Sequence, residues 1–180
     1  MHTSQSLQIP HIVGEMVREQ PRSVLDVGCG WGKYGVMARE YTNATRVDCI
    51  DVDPPRYPVY DNVYVGDIRE MSKLLPANEP RYDLAIFLEV IEHLEKPAAW
   101  AVVDQLCERA KRVIITTPWG FRHQEFPGLP FETHRSGWYP WDFGKRWTMH
   151  RWQVFPGHLT RHLHLPRLWQ LLVVVSRKGE

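Results

Sequence analysis

Gly28, Gly30 and Gly32 fall at alternate positions directly after Val24-Leu25-Asp26-Val27, an apolar run with an acid inside it. Glycines so placed let the backbone turn tightly and lie against a ligand with no Cβ in the way. The spacing is G-x-G-x-G, not the G-x-G-x-x-G dinucleotide fingerprint, so the turn alone fits a plain strand-to-helix corner equally well. Asp51 adds chemistry. It closes the next apolar run 23 positions after Gly28, where nucleotide-binding sheets place an acid that accepts from both ribose hydroxyls. Asp53 competes for that role, although its place before Pro54 suits a loop residue. Asp67 ends a third run, Val63-Tyr64-Val65-Gly66.

A second group follows the fourth apolar run, in FLEVIEHLEKP. Glu89, Glu92 and His93 stand at i, i+3 and i+4, which on a helix points all three from one face. Carboxylates and an imidazole there suit a hard divalent cation, proton transfer, or ordinary ion pairs at a helix start. Past the fifth run the chain reads TTPWGFRHQEF and then PFETHRSGWYPWDF. Its aromatic, His and Arg side chains offer stacking faces and donors for a sugar, a ring or a base. Trp119 and Phe121, directly past a strand's carboxyl end, read as acceptor-site residues. Trp138 and Trp141 read as core. His93 and His134, titrating near neutrality, are the candidates for a catalytic base. His158, Arg161, His162 and His164 form a later cationic patch that suits a phosphate or carboxylate, or simply faces solvent.

Apolar runs alternate with amphipathic ones, which predicts a parallel sheet with crossover helices. Strands are expected at 23–27, 47–51, 63–65, 84–88 and 112–117. Helices are expected at 7–18, 33–41, 68–75 and 97–110, the last opening on Pro97 at a helix-start position. Pro54, Pro55 and Pro58 rule out a regular helix between the second and third strands. Residues 118–139 form a long loop, of a length that usually carries function. A short helix at 141–147, a sixth strand at 151–155, an irregular stretch at 157–167 and a buried strand at 169–176 complete a single domain, residues 1–180.

The glycine turn, Asp51 and the VGDI segment at 65–68 resemble the class I S-adenosylmethionine-dependent methyltransferases, and the resemblance covers nearly the whole chain. It implies an α/β, Rossmann-like fold: a seven-stranded sheet of order 3-2-1-4-5-7-6, its last strand antiparallel, with helices on both faces. The connection between strands 2 and 3 is trimmed where the family usually has a helix, and Tyr57 or Tyr60 could compensate in the wall of the adenine pocket. By the same resemblance Gly28 and Gly30 approach S-adenosylmethionine, Asp26 meets its ammonium group directly or through water, and Asp51 takes the ribose. Asp67 would hold the adenine amino group with Ile68 flanking, and Glu89 would lie beside the cofactor.

The E-x-x-E-H peptide, the TTP strand end and FETHRSGW are similar to small-RNA 3′-terminal 2′-O-methyltransferases. That likeness makes Glu89, Glu92, His93 and His134 ligands of a Mg²⁺ or Mn²⁺ ion that holds the terminal hydroxyls. Ser136-Gly137 departs from the bulkier, charged pair usual there. The TPxGF…Q…HxSGW…DF pattern is similar to bacterial methyltransferases linked to sugar and surface-glycan chemistry. The implied function is methyl transfer to oxygen or nitrogen of a small molecule, with Trp119, Phe121, His123 and Arg135 on the acceptor. The alternatives are a metal-assisted RNA 3′-terminal 2′-O-methyltransferase and a non-catalytic cofactor-binding partner subunit. Retention of Gly30 and Asp51 speaks against the last.

The formal net charge is +1, yet residues 1–110 carry 11 Lys and Arg against 17 Asp and Glu, while residues 111–180 carry 11 against 4. A basic second half suits an anionic acceptor, nucleic acid included, or a solvated face. Cys29, Cys49 and Cys107 lie in or beside apolar runs without paired zinc spacing, which predicts reduced, structural thiols and a cytoplasmic location. No apolar run reaches bilayer-spanning length and no signal-peptide profile opens the chain, so no membrane partner is expected.

Overall fold

The computed structural model describes residues 6–156 and 169–180. Its strands are β1 (Ser23–Val27), β2 (Arg46–Asp51), β3 (Val63–Val65), β4 (Tyr82–Leu88), β5 (Ala110–Pro118), β6 (Thr148–Pro156) and β7 (Trp169–Ser176). They form one sheet of order 3-2-1-4-5-7-6. The first five pair in parallel, and β7 runs antiparallel between β5 and β6. The fold is the Rossmann-like one that the sequence predicts.

Strands covered on both faces read as continuous apolar runs, and their period-2 alternation divides the side chains between two cores. Val24, Leu84, Ile86, Ile114 and Leu172 face one core, under α1 (Ile9–Glu19) and α2 (Lys33–Tyr41). Leu25, Val27, Phe87, Ile115 and Val173 face the other, under α3 (Met71–Leu74), α4 (Lys96–Arg109) and α5 (Pro140–Gly144). By the same parity Asp26 points to the α1–α2 side. The glycine turn, Asp51 and Glu89 then all emerge at the carboxyl edge of the sheet, on either side of the point where strand order reverses. Ligands of open α/β sheets bind there.

Residues 52–62 contain no helix. Their far end is tied down instead: Asp61 Oδ2 accepts from Val47 N at 2.8 Å and from an Arg39 guanidinium nitrogen at 2.6 Å. Asn62 N donates to Asp48 Oδ1 at 3.1 Å. The helix expected at 68–75 is a 3₁₀ turn, Ile68–Glu70, followed by the single turn of α3. The helix expected to carry Glu89, Glu92 and His93 on one face does not form. Glu89 adopts a left-handed φ of 57° and is followed by one 3₁₀ turn, Ile91–His93. Trp138 is fully buried, but Trp141, expected in the core, is 56% exposed and stacks on Tyr139 with ring centroids 4.7 Å apart.

The long loop is closed at its base by backbone bridges from Trp119 and Gly120 to Trp138. The patch of His158, Arg161, His162 and His164 lies outside the described residues. No helix among the described residues is long and apolar enough to cross a membrane.

Candidate active site

β1 ends in a turn whose three glycines all take positive φ: 72° at Gly28, 54° at Gly30 and 94° at Gly32. Gly28 N donates to Ile50 O at 2.8 Å, which ties the turn to β2. A Cβ on Gly28 would lie 2.3 Å from Val90 Cγ2. Gly28→Ala therefore meets both a left-handed backbone and a collision. We expect it to destabilise the protein by about 2–3 kcal/mol, measurable as a fall in the thermal midpoint.

Asp51 closes β2 at the mouth of that turn. Its Oδ2 accepts from Gly30 N at 2.8 Å and its Oδ1 from Asp53 N at 3.1 Å. Those bonds fix the carboxylate while both oxygens keep lone pairs for further donors. Asp26 is 3% exposed, and Tyr60 Oη donates to its Oδ2 at 2.6 Å. Burial pushes the Asp26 carboxyl up to about 7, the Tyr60 bond opposing and the Asp51 charge reinforcing. Asp67, at the end of β3, is gripped by the Arg69 guanidinium on both oxygens and also caps the Ile68–Glu70 turn. Arg69 holds its carboxyl below the usual range. Ile68 and Asp67 line the same cavity as Asp26, Gly28, Gly30 and Asp51.

That cavity, about 920 Å³, continues past Glu89 to Glu92, His93 and His134. Its far end is built by backbone docking. Arg135 N and Ser136 N both donate to Glu92 O, at 2.7 and 3.1 Å, and His134 N donates to Gln124 O at 2.9 Å. The loop is thus laid across the Ile91–His93 turn, and one ligand atom from each of Glu92, His93 and His134 falls within 4.8 Å of the others. The two imidazoles meet edge to face, 4.9 Å between centroids.

Each imidazole turns Nδ1 to a backbone carbonyl: His93 to Thr133 O at 3.2 Å, His134 to Arg122 O at 2.7 Å. A carbonyl only accepts, so Nδ1 carries the proton and Nε2 keeps its lone pair. Burial depresses both imidazoles, His134 to about 4. Both are uncharged at neutral pH. Glu92 is 2% exposed and its Oε2 has no partner. Burial, reinforced by the charge of Glu89, raises its carboxyl well above the usual range.

Glu89 stands apart from this trio, contrary to the four-ligand set drawn from the resemblance. Its left-handed backbone turns the side chain toward β7. There Gln170 Nε2, in the amide orientation its neighbours demand, donates to the two carboxylate oxygens at 3.2 and 3.3 Å. Burial pushes Glu89 up to about 7.

Of the four expected acceptor residues, Arg135 alone lines the cavity. Trp119 packs edgewise on Tyr139 and Trp141 instead. Phe121 is 58% exposed, and His123 is also exposed on the loop's outer side. The loop's contribution to the cavity lining comes from Arg122, Gln124 and Glu132, with the largely exposed Leu129 and Phe131 at its rim. Strict alternation past Pro118 could have found Arg122 and Gln124, which fall out of phase with Phe121 and His123.

A family model for a methyltransferase domain matches residues 4–170. The chain belongs to that family. No curated protein matches the sequence. Among solved structures, this methyltransferase superposes on the N-methyltransferase NodS from Bradyrhizobium japonicum, in complex with S-adenosylhomocysteine. The TM-score is 0.66 at 14% identity, over 95% of this chain and 87% of that one. It superposes equally on a Burkholderia thailandensis 1,6-didemethyltoxoflavin-N1-methyltransferase, with a TM-score of 0.66 and 17% identity, over 97% and 79% of the two chains. The methyltransferase domain of bacterial CtHen1-C gives 0.65 and 17%, over 96% and 97%. At such identities the likeness is one of fold.

Proposed function

We propose that this methyltransferase binds S-adenosylmethionine along the carboxyl ends of β1, β2 and β3 and methylates an oxygen or nitrogen of a small molecule. The observation that carries this reading is the continuity of one cavity from Asp51 to His134. A volume of about 920 Å³ is enough for a nucleoside cofactor and a small acceptor end to end.

The residues fit the cofactor. Positive-φ glycines leave room for close backbone approach, Asp51 offers fixed acceptors for two ribose hydroxyls, and Asp26 offers a carboxylate to an ammonium group. When bound, the cofactor supplies an electrophilic methyl carbon. The chain's own task is then alignment, exclusion of water and removal of one proton. Glu92, with a buried, unpartnered oxygen and a raised pKa, is the group best suited to accept that proton. His93 and His134 present Nε2 lone pairs that orient an acceptor O–H or N–H beside it. The loop carrying Leu129, Phe131 and Arg135 closes the outer wall.

A second reading rests on the Glu92–His93–His134 trio, whose one oxygen and two imidazole nitrogens also suit Mg²⁺ or Mn²⁺. The Nδ1 bonds to carbonyls are the supporting bonds that metal-binding histidines usually have. Such an ion would lower the pKa of chelated vicinal hydroxyls, and an RNA 3′-terminal ribose would then be the acceptor. Transfer from labelled S-adenosylmethionine to small alcohols and amines, compared with short RNA ending in a 2′,3′-diol, separates the two. Small-acceptor transfer indifferent to a chelator supports the first reading. Chelator-sensitive transfer to RNA alone supports the second.

A further inference from the structure

We propose that Tyr60 is a positioning residue for the amino-acid end of the cofactor: its hydroxyl holds one oxygen of Asp26 and so orients the carboxylate toward a ligand ammonium. This rests on the cofactor reading above. The arrangement is built by the segment that replaces the missing helix. Asp61 and Asn62 are anchored on β2 and α2, and that fixes Tyr60 immediately before them. The ring then lies over the start of α2, where a Cβ on Gly35 would sit 2.5 Å from Tyr60 Cε1 and one on Gly32 3.1 Å from Tyr60 Cε2. Any side chain at position 35 would expel the ring. The 2.6 Å bond to Asp26 Oδ2 thus depends on a glycine in a helix, where glycine is otherwise unfavourable.

Asp26 lines the cavity beside Gly28 and Gly30. The groups that face it are Tyr60 from the 52–62 segment, Cys29 in the turn, Cys49 and Asp51 on β2, and the backbone of Gly35 on α2. Only Tyr60 and Gly35 favour its charged form. With the carboxyl titrating at about 7, lowering the pH through that value protonates it, and an ammonium can bind only by displacing that proton. Affinity for a ligand carrying the ammonium therefore falls as pH drops through about 7. Losing the Tyr60 bond raises the Asp26 pKa further and moves this fall to higher pH.

The test is calorimetric titration of S-adenosylhomocysteine and of 5′-methylthioadenosine, which lacks the amino-acid moiety, into wild type and Tyr60→Phe from about pH 6 to 9. The variant keeps the ring over Gly32 and Gly35 and removes only the hydroxyl. The expected result is a loss of about tenfold in S-adenosylhomocysteine affinity at neutral pH, a higher pH midpoint, and unchanged affinity for 5′-methylthioadenosine. In an Asp26→Asn background, itself weak for S-adenosylhomocysteine alone, the Tyr60→Phe effect should vanish. Equal losses for both ligands, or no loss for either, would overturn the proposal and leave Tyr60 as a packing residue over Gly32 and Gly35. A wild type that binds neither ligand removes the cofactor reading, and the proposal with it.

Discussion

Asp51→Ala weakens S-adenosylhomocysteine binding about 100-fold, as read by calorimetry, and leaves the thermal midpoint close to that of the wild type. The magnitude follows from two charge-assisted hydrogen bonds to ribose hydroxyls, each worth about 1.5–3 kcal/mol, with partial replacement by water in the variant. The small effect on stability follows from position. Asp51 is half-buried at the sheet's edge, and the two amides it accepts from, Gly30 N and Asp53 N, lie at a cavity mouth where water can replace it. A comparable loss on replacing Asp53 by alanine would mean that the neighbouring acid takes the ribose.

Glu92→Ala lowers kcat by about 10²–10³-fold on the acceptor that the transfer assay identifies, with S-adenosylhomocysteine affinity retained. Removal of a buried carboxylate whose Oε2 has no partner relieves a desolvation cost. The variant's thermal midpoint should therefore rise, the signature of a residue kept for chemistry at the expense of stability. The loop stays docked, because Arg135 and Ser136 bond to the Glu92 backbone oxygen and not to its side chain. In wild type, kcat climbs with pH as Glu92 loses its proton. Glu92→Gln loses that limb. A variant with unchanged kcat returns the role of base to His93 or His134.

The sheet was legible because strands buried on both faces leave continuous apolar runs, as at Leu84–Leu88 within β4 and Leu171–Val175 within β7. The position of Asp51 at the end of β2, on the cavity wall, was legible for a related reason: strand ends at a switch point open onto the crevice of such sheets. The Glu89–His93 peptide was not. Its i, i+3, i+4 spacing has meaning only on a helix, and nothing in the residue type announces a left-handed glutamate. The meeting of His134 with Glu92 and His93 followed from the resemblance and not from residue spacing, because the backbone hydrogen bonds that bring it about leave no side-chain signature. The fates of Phe121 and Trp141 depend on long-range bridges between Trp119, Gly120 and Trp138, equally silent in the sequence. Tyr60 lay between these cases. The prolines showed that a helix was missing, and only the packing against Gly35 and the bond to Asp26 showed where Tyr60 goes.

The most direct measurement is the titration of S-adenosylhomocysteine into the wild-type protein at about pH 8, above the Asp26 transition. Saturable one-to-one binding at micromolar or tighter affinity is the predicted result. No binding, in protein shown to be folded by its circular dichroism and cooperative melting, would contradict the account at its centre.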